Sequence, residues 1–519
     1  MLTMKKLLLP FLFGLVLLAC SKQLIINQEN PEIAVVPYSK LIKDDRQDPL
    51  LDGYEFTAPL ADRLTKAKST DGQFISWKEH LIDDTAIGGE VISGSDGLST
   101  GDLDQDGYLD IVSVHESDTE YDGALEGTIR IAFGSADPNK WELVTLAKGK
   151  EAAAAEDVAL EDLNGDGYLD VVAACELAHL IYFQNPTKHI RSKKWERMIP
   201  KITQNRGSFI RVFSADLNKD GQAEIIAANK GDQLAGGTKD SKVNLKHPIS
   251  YFEIQGDPLD QAAWKETELI NVSIPINSQP IDIDQDGDLD IIAGSRGENR
   301  IILFENISTA AIRFNQHEIK LVRANANQQE SIMINGFNMD FMDINRDSQL
   351  DIVLCELEDP FPLSSHLVWL EQPDDWSHPW TVHTIGNTSP DRIVGLAVTD
   401  INNDGKEDVF VGGYSRGDRA KDGAVGFDDP LGRLAWFEQP SNLNNEWIRH
   451  DISRRKRGMF DKFIPLDIDQ DADIDFLSTR GNSVPYDGVF WLEQVRSQKP
   501  VNAFKKARKQ DSEEVGLKE

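Results

Sequence analysis

The phrase DLDQDGYLD at residues 102–110 recurs six more times, as DLNGDGYLD, DLNKDGQAE, DIDQDGDLD, DINRDSQLD, DINNDGKED and DIDQDADID. The copies begin at Asp102, Asp162, Asp216, Asp282, Asp343, Asp400 and Asp467, with spacings of 60, 54, 66, 61, 57 and 67 residues. This period constrains the fold more than any other feature, because each unit must stack on its neighbours to bury its apolar face. Every phrase runs straight into a short apolar strand, such as IVSV, VVAA, IIAA, IIAG or IVLC. A variable loop follows, then a strand with an aromatic signature (LIYFQNP, ISYFEIQ, IILFEN, LVWLEQP, LAWFEQP, VFWLEQV). A further strand often carries Trp and His, as in WTVHTI and WIRHDI. With the strand leading into the aspartates, this makes four strands per unit and predicts an all-β chain, a seven-bladed β-propeller. The last unit stops after VFWLEQV, and ISWKEHLID at residues 75–83 matches its missing outer strand. An N-terminal strand is therefore expected to close the last blade and leave no unpaired edge.

The first residues, MLTMKKLLLPFLFGLVLLAC, place Lys5 and Lys6 before an apolar run too short for an ordinary membrane span. The segment resembles a bacterial lipoprotein signal, which implies removal of residues 1–19 and a lipidated Cys20 that anchors the protein to a membrane. Ser21 follows in place of the Asp of an inner-membrane retention signal, so the outer membrane is the expected location. Residues 20–72 read as a tether with some packing of its own, 73–495 as the propeller, and 496–519 as a charged, mobile tail. Cys175 and Cys355 follow matching apolar strands and read as small buried hydrophobes. The net charge of −33 argues against nucleic acid as a partner.

Carboxylates crowded around one glycine repel one another unless a cation neutralises them. Positions 1, 3, 5 and 9 of the phrase offer side-chain oxygens and position 7 a backbone carbonyl, a set that suits calcium. Glycine at position 6 permits the sharp turn. An EF-hand would need flanking helices and a Glu at position 12, whereas here a strand begins directly after position 9. The pattern resembles the FG-GAP or VCBS repeat family, found also in the propeller of integrin alpha chains, over about residues 73–495. The resemblance implies structural calcium held by Asp102, Asp104, Asp106 and Asp110 in the first blade, and by Asp162, Asn164, Asp166 and Asp170 in the second. The later sets are Asp216, Asn218, Asp220 and Glu224; Asp282, Asp284, Asp286 and Asp290; Asp343, Asn345, Asp347 and Asp351; Asp400, Asn402, Asp404 and Asp408; and Asp467, Asp469, Asp471 and Asp475. Three sites depart from the pattern. Glu224 replaces the last Asp, and Ser348 and Ala472 replace glycine, which puts the left-handed turn at issue there.

The aspartate loops should occupy one face of the disc, and the loops between strands two and three the other. That second face, which the loops leading into strand one share, carries the insertions 115–127, 229–248, 356–366, 413–433 and 480–488, together with basic residues such as Arg206, Lys230, Arg296, Arg392, Lys462 and Arg480. A cationic mouth would concentrate anionic ligands. Tyr414, Arg416, Arg480, His115 and His179 are the candidate catalytic residues, with Arg296, His247, His366 and Tyr486 as candidate ligand-binding residues. Arginine would neutralise a carboxylate while His or Tyr exchanged protons in a β-elimination. Histidines meeting there could instead hold a further metal such as zinc. The leading expectation is a surface lipoprotein acting on acidic (uronate or sulfated) saccharide as a lyase or dehydratase, alongside outer-membrane uptake proteins. A non-catalytic glycan-binding lipoprotein and a protein-interaction or adhesion scaffold are the alternatives.

Overall fold

The computed structural model describes residues 58–59, 63–117, 126–177, 179–231, 245–324, 332–357, 365–388, 392–415, 433–453, 458–481, 486–508 and 516–517. All belong to one compact unit, Arg46–Glu519. Cys20 and the signal segment lie outside the described residues.

Seven antiparallel sheets of four or five strands follow one another along the chain. Blade 1 shows the plan: Ser95–Gly101, Asp110–His115, Thr128–Phe133 and Glu142–Lys148, each hydrogen-bonded to the next. The first strands of blades 2 to 7 are Ala155–Glu161, Phe209–Ala215, Pro275–Ile281, Ile334–Met342, Arg392–Thr399 and Phe463–Leu466. The second strand of a blade is buried on both faces, which is why it reads as an unbroken apolar run rather than an alternation. The core lies between blades. Val112, Val114, Ile131 and Phe133 of blade 1, for example, pack on Val171, Ala173, Ile181 and Phe183 of blade 2.

The ring closes as the sequence predicts. Phe74–Asp84 pairs antiparallel with Gly488–Ser497, Trp77 opposite Gln494, and so supplies the fourth strand of blade 7. The packed chain extends past the expected limits at both ends. Ala67 is buried before residue 73. Phe504–Lys505 adds a parallel fifth strand beside Trp77 and Lys78, with Phe504 in the core. An isolated Phe in a charged stretch is a weak signal, and the tail assignment passed over it. A second parallel addition, Leu321–Arg323 on blade 5, was equally silent in the sequence.

The aromatic signature has a repeated structural role. His80, His383 and His450 on outer strands stack on Trp491, Trp369 and Trp436 at centroid distances of 4.1, 4.2 and 4.3 Å. Their Nε2 atoms hydrogen-bond Glu493, Glu371 and Glu438 at 2.5, 2.7 and 2.8 Å. The pairs lie directly across two adjacent strands and tie the outer edges of blades 5, 6 and 7. Cys175 is buried and Cys355 half-buried, each on a second strand.

Candidate metal loops and the axial charged centre

Each aspartate phrase makes the tight connection from first to second strand. In blade 1 the Asp102 carboxylate accepts from the backbone N–H of Asp106 at 3.1 Å and of Gly107 at 3.0 Å, and Asp106 accepts from Tyr108 N–H at 3.0 Å. Position 4 and position 6 both adopt left-handed backbone in every copy, from Gln105 (φ 58°) and Gly107 (φ 87°) to Gln470 (φ 63°) and Ala472 (φ 72°). Ser348 takes φ 73°, so both glycine replacements keep the turn. Its N–H still donates to Asp343 at 2.9 Å, and that of Ala472 donates to Asp467 at 3.1 Å.

The last residue of the phrase is the pivot. Asp110, Asp170, Asp290, Asp351, Asp408 and Asp475 are fully buried at the start of the second strand, and Glu224 is nearly so. In six copies one oxygen accepts from the N–H at position 2 of the same loop, as from Leu103 at 2.8 Å to Asp110, and in blade 2 Asp170 Oδ2 accepts from Tyr182 O–H at 2.8 Å instead. The other reaches past the third strand, to Gly134, Asn185, Asn306, Gln372, Gln439 or Gln494. The amide side chain at five of those places explains the recurring QN, EN and EQ dipeptides. Asn306 Nδ2, for instance, donates to Leu289 O of its own loop at 2.9 Å and to Leu217 O of the preceding blade at 2.8 Å.

Loops also touch directly. Gln105 donates to Gly167 O at 2.7 Å, Gln285 to Ser348 O at 3.0 Å, and Arg346 to Gly405 O.

Burial without a counter-charge raises these carboxyls. Desolvation is the largest cause, and the neighbouring loop aspartates add to it. It pushes Asp110 up to about 6, Asp170, Asp290 and Asp351 to about 7, Asp408 and Asp475 to about 8, and Glu224 to about 7. In the three copies with Asp at positions 1, 3 and 9, carboxylate oxygens converge within 4.8 Å of one another: Asp102, Asp104 and Asp110; Asp282, Asp284 and Asp290; Asp467, Asp469 and Asp475. Asp282 Oδ1 and Asp469 Oδ1 are buried and accept no hydrogen bond. These residues fit a hard cation: all donors are oxygen, two donor atoms lack a partner, and the turn gathers them on one point. At the first loop Arg191 of blade 2 also reaches in, 2.7 Å from Asp104 and 2.9 Å from Asp106.

The opposite face is built differently. The first strands of six blades carry a register shift against their second strands near the end away from the aspartates, such as Ala155/Asp157, Phe209/Arg211 and Pro275/Asn277. A bulge re-aims side chains. Here the residues six and five places before each phrase include Asp96, Glu156, Asp157, Arg211, Asn338, Asp461 and Lys462. Arg211 of blade 3 donates to Asn338 of blade 5 at 3.2 Å and to Asp461, at the start of blade 7, at 2.9 Å. Its guanidinium lies 4.6 Å from the Phe337 ring centre. Contacts among non-adjacent blades must cross the axis, so this buried pair plugs the channel. Lys230 forms an ion pair with Glu176 beside it. Burial pulls that ammonium down to about 7, with the Arg296 charge contributing. Asp96, Glu116 and Glu156 gather at the same centre.

Several expected site residues take other roles. His115 is fully buried, its Nδ1 2.7 Å from Ser95 Oγ and its Nε2 3.1 Å from Ser113 Oγ. Burial lowers it to about 3, which leaves a neutral packed ring with both nitrogens engaged. His179 is also buried, its Nε2 3.0 Å from Glu151 O, and desolvation holds its pKa below the usual value. Arg480 is buried in blade 7, donating to Tyr486 O at 2.5 Å with Glu79 at 3.5 Å. Tyr486 is half-buried beneath that guanidinium. Arg296 lies over Phe337 at 5.4 Å, and Arg206 pairs with Glu266. His247 and His366 are half-buried on third strands. The side chain of Tyr414 and all of Arg416 lie outside the described residues. Among the described residues no cluster of three ligand groups includes a histidine. The convergence is of carboxylates: His115 ends a second strand, His247 and His366 lie on third strands, and His179 falls between the second and third strands of blade 2.

The missed centre had a signal. It appears once the seven phrases are aligned and the columns six and five places upstream are read downwards.

Residues 102–173 and 162–227 match the model of the FG-GAP-like repeat. No curated protein matches the chain. The matched stretch spans blades 1 to 3 up to the second strand of the third, and the same loop geometry continues through Asp475. The chain is an all-β, seven-bladed propeller carrying FG-GAP-like repeats.

Proposed function

We propose that this is an exported, lipid-anchored propeller, held together by calcium in its aspartate loops, that captures an acidic saccharide on the opposite face. The observation that carries the reading is the division of labour between faces. The second strands end, and the third strands begin, on the side of the axial charged centre, and the five longest stretches of sequence between them, 116–127, 230–245, 358–364, 416–433 and 481–487, lie largely outside the described residues. Loops raised on a rigid scaffold are where binding residues concentrate. The signal segment ending at Cys20 supports a membrane anchor, and the outer membrane suits capture for an uptake system.

A second reading, β-elimination on the same ligand, is favoured by one feature. Lys230 at the axis, whose ammonium burial pulls down to about 7, is the proton-exchanging group this reading invokes, and the ligand has to displace its pairing with Glu176. Purified protein should bind uronate-containing or sulfated oligosaccharides in the presence of calcium. An unsaturated product, or one lighter by a water, would establish the elimination. Tight binding without product would leave the capture reading alone. No binding across the panel, with a protein partner recovered instead, would replace both with a scaffold. Cys20→Ser should release the protein from the membrane fraction; a wild type already soluble would remove the anchor.

A further inference from the structure

We propose that Asp96, Glu116 and Glu156 form a divalent-cation site at the propeller axis, separate from the seven aspartate loops. Asp96 lies on the first strand of blade 1, Glu116 just after its second strand, and Glu156 on the first strand of blade 2. One carboxylate oxygen from each lies within 4.8 Å of the others. Three atoms so spaced lie no more than about 2.8 Å from a common centre, so a small inward movement of the side chains brings all three to a calcium–oxygen distance of about 2.4 Å.

The independent observation is the state of Asp96. Its side chain is 0% exposed, and neither Oδ1 nor Oδ2 has a hydrogen-bond partner. An ionised carboxylate so placed is tolerated only when paired or bound to a metal. Neither nearby cation hydrogen-bonds Asp96: Arg211 pairs with Asp461 and Lys230 with Glu176, although the charges of both also act on Glu156. The backbone keeps Asp96 in position: its carbonyl accepts from Thr479 Oγ1 at 2.5 Å. Gly97 brings the two blades together, since a Cβ there would stand 2.6 Å from Glu156 O and 2.8 Å from Asp157 Cα. Burial, then the charges of Glu156, Glu116 and Asp461, raise the Asp96 carboxyl well above its ordinary range, and Arg211 offsets them only in part. The donor set is all carboxylate, which selects calcium, magnesium or manganese over zinc or copper. Bound there, the ion would clamp blade 1 to blade 2 on the functional face.

The test is anomalous diffraction from crystals of the mature chain soaked in manganese, with parallel calcium soaks to separate the two ions by size. The expected map has a peak roughly 2.0–2.6 Å from an oxygen of each of the three residues. Loop peaks without an axial peak in both soaks would overturn the site. Metal analysis adds a solution readout. Asp96→Asn and Glu156→Gln should each lose one ion per chain relative to wild type, while Asp284→Asn loses one ion and keeps the axial peak. An unchanged metal count in a folded Asp96→Asn or Glu156→Gln would also overturn it. If neither variant folds, the wild-type map decides.

Discussion

The two faces of the disc handle buried acid in opposite ways. On the loop face a buried carboxylate stands in the same place seven times, Asp in six copies and Glu224 in the third, held by hydrogen bonds and with no positive charge against it. On the axial face acids and bases differ from blade to blade and pair across the channel, as Arg211 does with Asp461. A repeated site does what every blade needs, which is stability. A site that breaks the repeat can bind one thing at one place. Function on a symmetric scaffold is therefore sought where the symmetry fails.

The largest expected effect separates the faces by metal. Chelation at pH 8 should lower the melting temperature strongly, because ions that bind only the folded chain stabilise it by mass action. Calcium should restore it, as followed by thermal unfolding.

The second effect concerns the axial plug. Arg211→Met leaves Asp461 buried without its partner and should cost about 3–5 kcal/mol, measured by denaturant unfolding in saturating calcium. A loss below about 1 kcal/mol would show that the plug is solvated.

The third effect is a pH dependence that exists only without metal. The pivot carboxyls titrate at about 6 for Asp110 and about 8 for Asp408 and Asp475, above the ordinary 3.8. A raised carboxyl binds its proton more tightly in the folded chain, so the folded state gains from acid and loses stability as pH climbs from about 4 to about 8. Metal-free protein should therefore melt higher at pH 5 than at pH 8, and calcium should abolish or reverse that order. Asp290→Asn sharpens the point: it should melt lower than wild type in calcium, and no lower than wild type at pH 8 in chelator.

The smallest effect lies in one loop. Ala472→Gly relieves a left-handed alanine and should stabilise by about 1 kcal/mol. Equal stability would mean that the turn carries no strain.

The sequence made the loop face legible because each aspartate turn is local, and the closing strand because it repeats the residue spacing of the other outer strands. Nine residues carry a whole loop, and Trp77 with His80 mark the closing strand by spacing alone. The axial face was hidden for the converse reason. Asp96, Arg211 and Asp461 are far apart in the chain and meet only when the ring shuts, so no local pattern joins them. His115 and Arg480 misled because a polar residue at a strand end looks solvated in sequence. Packing against Ser95, or against Glu79 and Tyr486, is visible only in three dimensions.

The central claim is that one face is held by metal while the other does the work. Metal analysis of the purified mature chain, equilibrated in calcium and freed of unbound ion, tests it most directly. The account predicts at least one tightly held calcium for each of the three complete loops, at Asp102, Asp282 and Asp467, with melting temperature falling as they are removed. A folded protein that holds fewer than these, and melts at the same temperature in calcium and in chelator, would contradict it.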